Sequence, residues 1–352
     1  MPHRPTTSVA SGATTIHHPQ PFADTGHFST LDVRERTFPT TRTCGTIRFP
    51  QDNYHEPPNL AAGFSALDLS NEGPLRANLV GTSITPESFK ITVETWKDKH
   101  GEGTLYAADA VWIERKRGAH ECVFGQFDTR DARLKLAQLP ENEKLQGRGK
   151  VRTAHARSHE KQADLVAPPS ENSKTIAFPK VQFEDPPAVI CWLNRLDLAS
   201  GGERNYRIRA SASNITATTF EAHLDTWGDS VLYGGAMSYI AFPTSKKYVD
   251  SGMFSTSDVR PWHDPRPVTR GRVKFRQEMV ERLSRRRQRG RWRPPTVLAG
   301  LNMLDCAGNA GLSVRVEIKE DEIDEEGFWW EVRAGGECTC YAAGVGWIAL
   351  GF

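Results

Sequence analysis

The sequence predicts an all-β protein of three tandem antiparallel β-sandwich domains. Three observations carry this. One five-residue pattern recurs three times within the 352 residues. Short stretches of alternating polarity, punctuated by Pro and Gly, recur several times per repeat, as in a sandwich. Helical periodicity is nearly absent, and the best helical stretch, 277–289, lies inside an insertion.

The first element of each copy is the five-residue pattern. Gly26, Phe28, Thr30, Asp32 and Arg34 are spaced by two, as are Gly125, Phe127, Thr129, Asp131 and Arg133, and Gly252, Phe254, Thr256, Asp258 and Arg260. A period of two fits an extended strand with Phe, Thr, Asp and Arg on one face. An apolar residue sharing a face with Asp and Arg calls for an ion pair at the strand end, or a bend there. The second element carries Ile47 and Phe49, Ile176 and Phe178, or Val273 and Phe275. A proline pair follows (Pro57-Pro58, Pro186-Pro187, Pro294-Pro295) and belongs at a strand start, where no ladder donor is needed. The third element is an apolar strand. It ends on Leu67-Asp68, Leu196-Asp197 or Leu304-Asp305, the Asp ten residues after the second proline. The fourth carries Arg76, Arg207 or Arg315. Thirteen residues later comes a Phe (Phe89, Phe220, Phe328), and seven after the first two of these a Trp (Trp96, Trp227). Copy three has Gly335 there. The last element is an apolar strand with an aromatic: Val111-Trp112-Ile113, Ser238-Tyr239-Ile240, Gly346-Trp347-Ile348. The expected bounds are a disordered segment at 1–20 and repeats at 21–116, 119–244 and 247–352, with insertions at 134–173 and 276–293.

Bulk composition narrows the function. Hydrophobic residues make up 38% and charged ones 25%, and the net charge is only +2. No nucleic-acid partner is expected of such a balance, so any basic preference must be local. No stretch reaches a membrane span, and residues 1–20 lack the apolar run of a signal peptide. A soluble chain without a visible export signal is expected, cytoplasmic or released by another route. Six cysteines in a chain of this length read as small apolar residues rather than a disulfide scaffold. There is no G-x-S-x-G, H-E-x-x-H or phosphate loop, and no cofactor is expected.

Taken together, the F-P strand, the proline pair, the strand ending L-D, R-I-R-A, N-I-T-x-x-x-F, T-W and S-Y-I-A resemble the H-type lectin domain of snail agglutinins and the C-terminal half of discoidins. Copy two carries the pattern best, through Asn214-Ile215-Thr216, Phe220, Thr226-Trp227 and Tyr239-Ile240. The resemblance covers residues 22–352. It implies a six-stranded antiparallel sandwich, a trimer, and sugar sites in clefts between neighbouring subunits that prefer N-acetylgalactosamine or galactose. Three copies in one chain then imply a covalent pseudo-trimer that binds glycans or glycoproteins multivalently. The family's sugar-contacting Arg corresponds to Arg76, Arg207 and Arg315, and its stacking Trp to Trp96 and Trp227. The residue after that Trp, a His in snail agglutinin, is Lys97 or Gly228 here. Asp264 is the candidate for the family's acidic residue after the first strand.

Plainer readings stand beside these. Trp96 and Trp227 are also the kind of residue that fills a sandwich core. Arg207 could simply pair with Asp225. Arg315 lacks a Trp in its copy, unless Trp329 and Trp330 supply one, and copy three would otherwise be a structural repeat. Asp68, Asp197 and Asp305 read as structural, bonding turn amides. The arginine run at 276–293 reads as a solvated face, with acids at 320–326 near enough to pair. His155 and His159 would hold a metal only on a helix. The main alternative to a lectin is a scaffold that keeps the fold without binding sugar.

Overall fold

The computed structural model describes residues 24–351 except 52, 118, 120, 139–168, 179–182 and 201–203. The segment 1–20, most of the 134–173 insertion, and His155 and His159 lie outside the described residues. The first repeat holds β1 (Asp24–Ser29), β2 (Arg42–Arg48), β3 (Asn59–Leu69), β4 (Leu75–Thr82), β5 (Ser88–Glu94), a small ribbon of β6 (Lys97–Asp98) and β7 (Gly101–Glu102), and β8 (Leu105–Arg115). The second holds β9 (Val123–Asp128), α1 (Thr129–Gln138), β10 (Ser173–Ala177), β11 (Ala188–Leu198), β12 (Tyr206–Ser213), β13 (Thr219–Asp225) and β14 (Leu232–Phe242). The third holds β15 (Val249–Ser255), β16 (Val268–Lys274), α2 (Gln277–Gln288), β17 (Thr296–Cys306), β18 (Leu312–Ile318), β19 (Gly327–Ala334) and β20 (Cys340–Leu350).

Each repeat splits its six main strands into two triplets, and each triplet joins a triplet of another repeat. The sheets run β2-β5-β4-β11-β14-β9, β10-β13-β12-β17-β20-β15 and β1-β8-β3-β18-β19-β16. Repeat 1 therefore shares a sheet with repeat 2, repeat 2 with repeat 3, and repeat 3 with repeat 1. The three copies close into a ring with pseudo-threefold equivalence, as a covalent trimer requires. The seams are the short antiparallel pairings of β4 with β11, β12 with β17 and β18 with β3.

The recurring aromatics explain how each sandwich fills. Phe89, Phe220 and Phe328 are fully buried and each meets the aromatic of its own closing strand edge-on: Trp112 at 5.5 Å, Tyr239 at 5.0 Å, Trp347 at 5.2 Å. Such edge-to-face pairs add ~1 kcal/mol beyond simple burial. Those closing aromatics lie across Gly26, Gly125 and Gly252; a side chain would strike the ring at the first two and crowd it at the third. That is why the five-residue pattern begins with glycine in every copy.

The pattern itself bends. In repeats 1 and 3 the strand stops before the Thr, and Thr30–Asp32 and Thr256–Asp258 form a turn of 3-10 helix, while in repeat 2 α1 starts at Thr129. The bent option is thus the one realised. The buried Thr hydroxyls accept from the backbone of the closing strand, at Ala108, Gly235 and Ala343. The predicted helix 277–289 is realised as α2, which buries Met279 and Leu283. Of the acids expected to meet its arginines, Glu325 pairs with Arg287. No helix among the described residues is long and apolar enough to cross a membrane.

A second apolar cluster joins the three repeats along the axis of the ring: Ala61, Val111 and Ile113, then Ile190, Trp192 and Ile240, then Leu298 and Ile348. Equivalent axial positions carry Gly63, Trp192 and Gly300. The one indole fills the space of all three, for a Cβ on either glycine would fall on it. Its ring nitrogen donates to the Gly346 carbonyl at 2.8 Å.

Candidate binding clefts between the repeats

The third and closing strands of each repeat meet with an irregularity at one place. Asp68 faces Ala107 but Leu69 faces Leu105, which leaves Tyr106 as an extra residue. Tyr233 and Tyr341 are left over in the same way. A β-bulge re-aims a side chain, and here it turns one tyrosine per repeat toward a seam. The arginine of the five-residue pattern holds the bulge. Arg34 donates to the carbonyls of Leu105 and Tyr106, Arg133 to those of Leu232 and Tyr233, and Arg260 to those of Cys340 and Tyr341. These arginines are architectural. The tyrosines were missed in the sequence, although each precedes a pair of small residues (Ala107-Ala108, Gly234-Gly235, Ala342-Ala343).

At the seam of repeats 1 and 2, Arg76 on β4 lies opposite Asp197 on β11. Its Nε donates to Asp197 at 2.9 Å, and its remaining groups donate to Asp98 at 2.6 Å and to the carbonyls of Trp96 and Gly101. Arg76 is fully buried. Burial opposes its charge, but Asp197 and Asp98 outweigh that and raise its pKa. Trp96 is sandwiched by the guanidinium groups of Arg76 and Arg195, at 5.4 and 5.1 Å from the ring centre. His100 stacks on Tyr233 of the next repeat at 4.3 Å. The residues expected to face a sugar are brought together here, yet Arg76 is spent on the protein itself.

At the seam of repeats 2 and 3 the same pattern is more open. Arg207 lies opposite Asp305, donates to it at 3.1 Å, and pairs with Asp229. Its partner is not Asp225, which instead accepts from the backbone of Asn172. The Arg207 side chain keeps 17% of its surface exposed. Trp227 is half-buried rather than core. Burial holds the Asp305 pKa up, with Arg207 working against it. On the repeat-3 side, Trp262 is 63% exposed and stands 6.3 Å from Tyr341. Asp264 lies in the same turn and pairs with Arg266. Arg207 and Trp227 thus meet on the repeat-2 side, and Trp262 and Asp264 come from repeat 3, the repeat whose Asp305 takes Arg207.

The seam of repeats 3 and 1 corrects the correspondence of Arg315. Asp68 lies opposite Ser313, and Arg315 opposite Ala66. The stretch from the residue opposite the aspartate to the Phe is two residues longer in repeat 3, fifteen from Ser313 to Phe328 against thirteen from Arg76 or Arg207, so a constant spacing of thirteen selected the wrong residue. Ser313 holds the place of Arg76 and Arg207, and Arg315 pairs with Asp109 at 2.6 Å. Nor do Trp329 and Trp330 replace the missing Trp. Trp330 is buried against Phe254 at 4.3 Å, and Trp329 lies under Arg270 on the sheet. With Ser313 and Gly335 in place of Arg and Trp, a cleft of about 270 Å³ opens, lined by Arg36, Asp68, Tyr106, Ser313, Gly335 and Glu337 among others. Here Asp68 takes Arg36 at 2.7 Å. The three aspartates therefore do not bond turn amides, as expected, but anchor arginines across or beside the seams.

The family model of the H-type lectin domain matches residues 45–113, 173–242 and 292–350. The chain belongs to the H-type lectin domain family. Each match falls within one repeat of the ring, and the family is one of non-catalytic carbohydrate-binding domains. No curated protein matches the chain.

Proposed function

We propose that this H-type lectin chain is a multivalent carbohydrate-binding protein for glycans ending in N-acetylgalactosamine or galactose. The observation that supports it is the seam of repeats 2 and 3. There an arginine fork held by two carboxylates lies across the seam beside Trp227, and repeat 3 contributes an exposed Trp262 next to Tyr341, in a family of sugar-binding domains. Sugar C–H faces pack on aromatic rings, and vicinal hydroxyls take paired hydrogen bonds from a guanidinium. Arg207 donates to ring hydroxyls, Asp305 and Asp229 hold it in place, Trp227 stacks, and Asp264 contributes an acceptor from the next repeat. Trp96 lines the corresponding cleft of repeats 1 and 2, where Arg76 positions rather than contacts. Arg315 stands apart from the third cleft's centre and has the weakest claim to a sugar.

Full-length protein on a glycan array, with free N-acetylgalactosamine and galactose as competitors, tests the reading. Inhibitable binding that Trp227→Ala weakens without unfolding supports it. A blank array from folded protein overturns it. The complete burial of Arg76 and the His100–Tyr233 stack favour a second reading for one seam: the cleft of repeats 1 and 2 serves as a structural joint.

A further inference from the structure

The third repeat differs from the others at one structural pair. Directly beyond the bulge, repeat 1 sets Leu69 against Leu105 and repeat 2 sets Leu198 against Leu232. Repeat 3 sets Cys306 against Cys340. A third thiol, Cys338, comes two residues before Cys340. The Cys306 thiol is in hydrogen-bonding contact with both. All three are reduced and buried, Cys338 the least so at 9%. At one of three equivalent places a cysteine pair thus stands for a leucine pair, and a third thiol joins it through Cys306. The cluster closes the loop of Gly335, Gly336 and Glu337, which is one wall of the open cleft between repeats 3 and 1.

We propose that Cys306 and Cys338 form a reversible dithiol–disulfide couple that tethers this wall to the end of β17. Cys338 is the attacking group. Its thiolate is favoured by the hydrogen bond from Cys306, against the cost of burial, and by a backbone hydrogen bond at Ser313. The Cys306 proton is held tightly, by its two sulfur neighbours first and by burial second. With a peroxide as oxidant, the Cys338 sulfur takes one oxygen and breaks the O–O bond, leaving a sulfenic acid and releasing hydroxide. The Cys306 sulfur then displaces the sulfenic oxygen. One S–S bond forms, and its proton and the departing hydroxyl leave as water. A thiol reductant reverses the step through a mixed disulfide. Among the described residues no group of three or more His, Cys, Asp or Glu is placed to hold a metal ion.

The test uses the reduced full-length chain treated with hydrogen peroxide without denaturant, then alkylation, trypsin digestion and mass spectrometry. The expected product is one cross-link between the tryptic peptide that contains Cys306 and the one that contains Cys338 and Cys340, lighter by two hydrogens and lost on reduction. It should survive in Cys340→Ala and vanish in Cys338→Ala. Hydrogen exchange of residues 335–339 should slow in the oxidised wild-type protein. A cross-link that survives Cys338→Ala overturns the assignment of Cys338. Three thiols that stay alkylatable after excess peroxide, in protein whose circular dichroism is native, overturn the couple altogether. Neither readout involves sugar, so this proposal stands or falls apart from the lectin reading.

Discussion

Two arginines at equivalent places carry different burdens. Arg76 is sealed in the seam with Asp197, so Arg76→Ala should leave a buried carboxylate without its partner and cost about 3–5 kcal/mol, read from denaturant unfolding. Arg207 is partly exposed, and Asp305 can be reached by water when it is gone. Arg207→Ala should cost about 1.5–3 kcal/mol of stability, as for a charged hydrogen bond, while abolishing retention on a galactose-type column. Equal destabilisation by the two substitutions would contradict this division. A third residue, Glu114, is fully buried and directly opposite Asp24. Burial first, and Asp24 second, push its pKa up to about 8. The folded protein then keeps a proton that the unfolded chain loses near its ordinary 4.5. Stability from this group is present below pH 4.5 and falls as the pH rises toward about 8. The loss is on the order of a few kcal/mol. Glu114→Gln should flatten that slope in melting temperatures taken from pH 5 to pH 8.

At the scale of elements, the bulge that frees a tyrosine is the unit that makes a cleft, and one arginine pins it. Arg260→Ala removes donors to Cys340 and Tyr341 and to the Thr269 hydroxyl. It should cost about 2–3 kcal/mol and weaken glycan binding as well, because Tyr341 loses its fixed aim. Conserved affinity in a destabilised Arg260→Ala protein would separate the bulge from the site. The sequence announced most of the elements. Period-two spacing, proline pairs and recurring aromatics are local signals, and they marked the main strands of each repeat. Its reading of the site was poorer for a physical reason. Which arginine faces which aspartate is decided by strand register across a seam, and two residues more or less in a turn shift it. Counting along the chain therefore picked Arg76 and Arg207, which lie opposite an aspartate, but chose Arg315 where the register puts Ser313. The tyrosines were hidden for a related reason, since a bulge is a property of a strand pair and not of a strand.

The whole molecule behaves as one object because none of the three six-stranded sheets belongs to one repeat. Cutting out residues 245–352 would leave β17 and β18 as open edges, each lacking its partner at a seam. Such edges, with the apolar axis exposed, favour association over folding. The isolated segment should give poor chemical-shift dispersion or aggregate, whereas the full chain should unfold in one cooperative transition. A well-dispersed, monomeric spectrum from the segment would show that the repeats are independent. Trp192→Ala is the sharper probe, for it empties the axis at a cost of about 3–5 kcal/mol and should lower the melting point without touching any cleft.

The tryptophan at the axis also says something about the chain's history. A ring of identical subunits must write every central residue three times. Three tryptophans there would collide, and three glycines would leave a hollow. One large and two minimal residues is a solution open only to copies joined in a single chain, where each can change alone. Once Gly63 and Gly300 had made room for Trp192, no single copy could rebuild the ring by itself. The same freedom allows three unlike clefts, one sealed, one aromatic and one open beside a cluster of thiols. Three copies in one chain can thus share a single central ring, which three identical subunits could not.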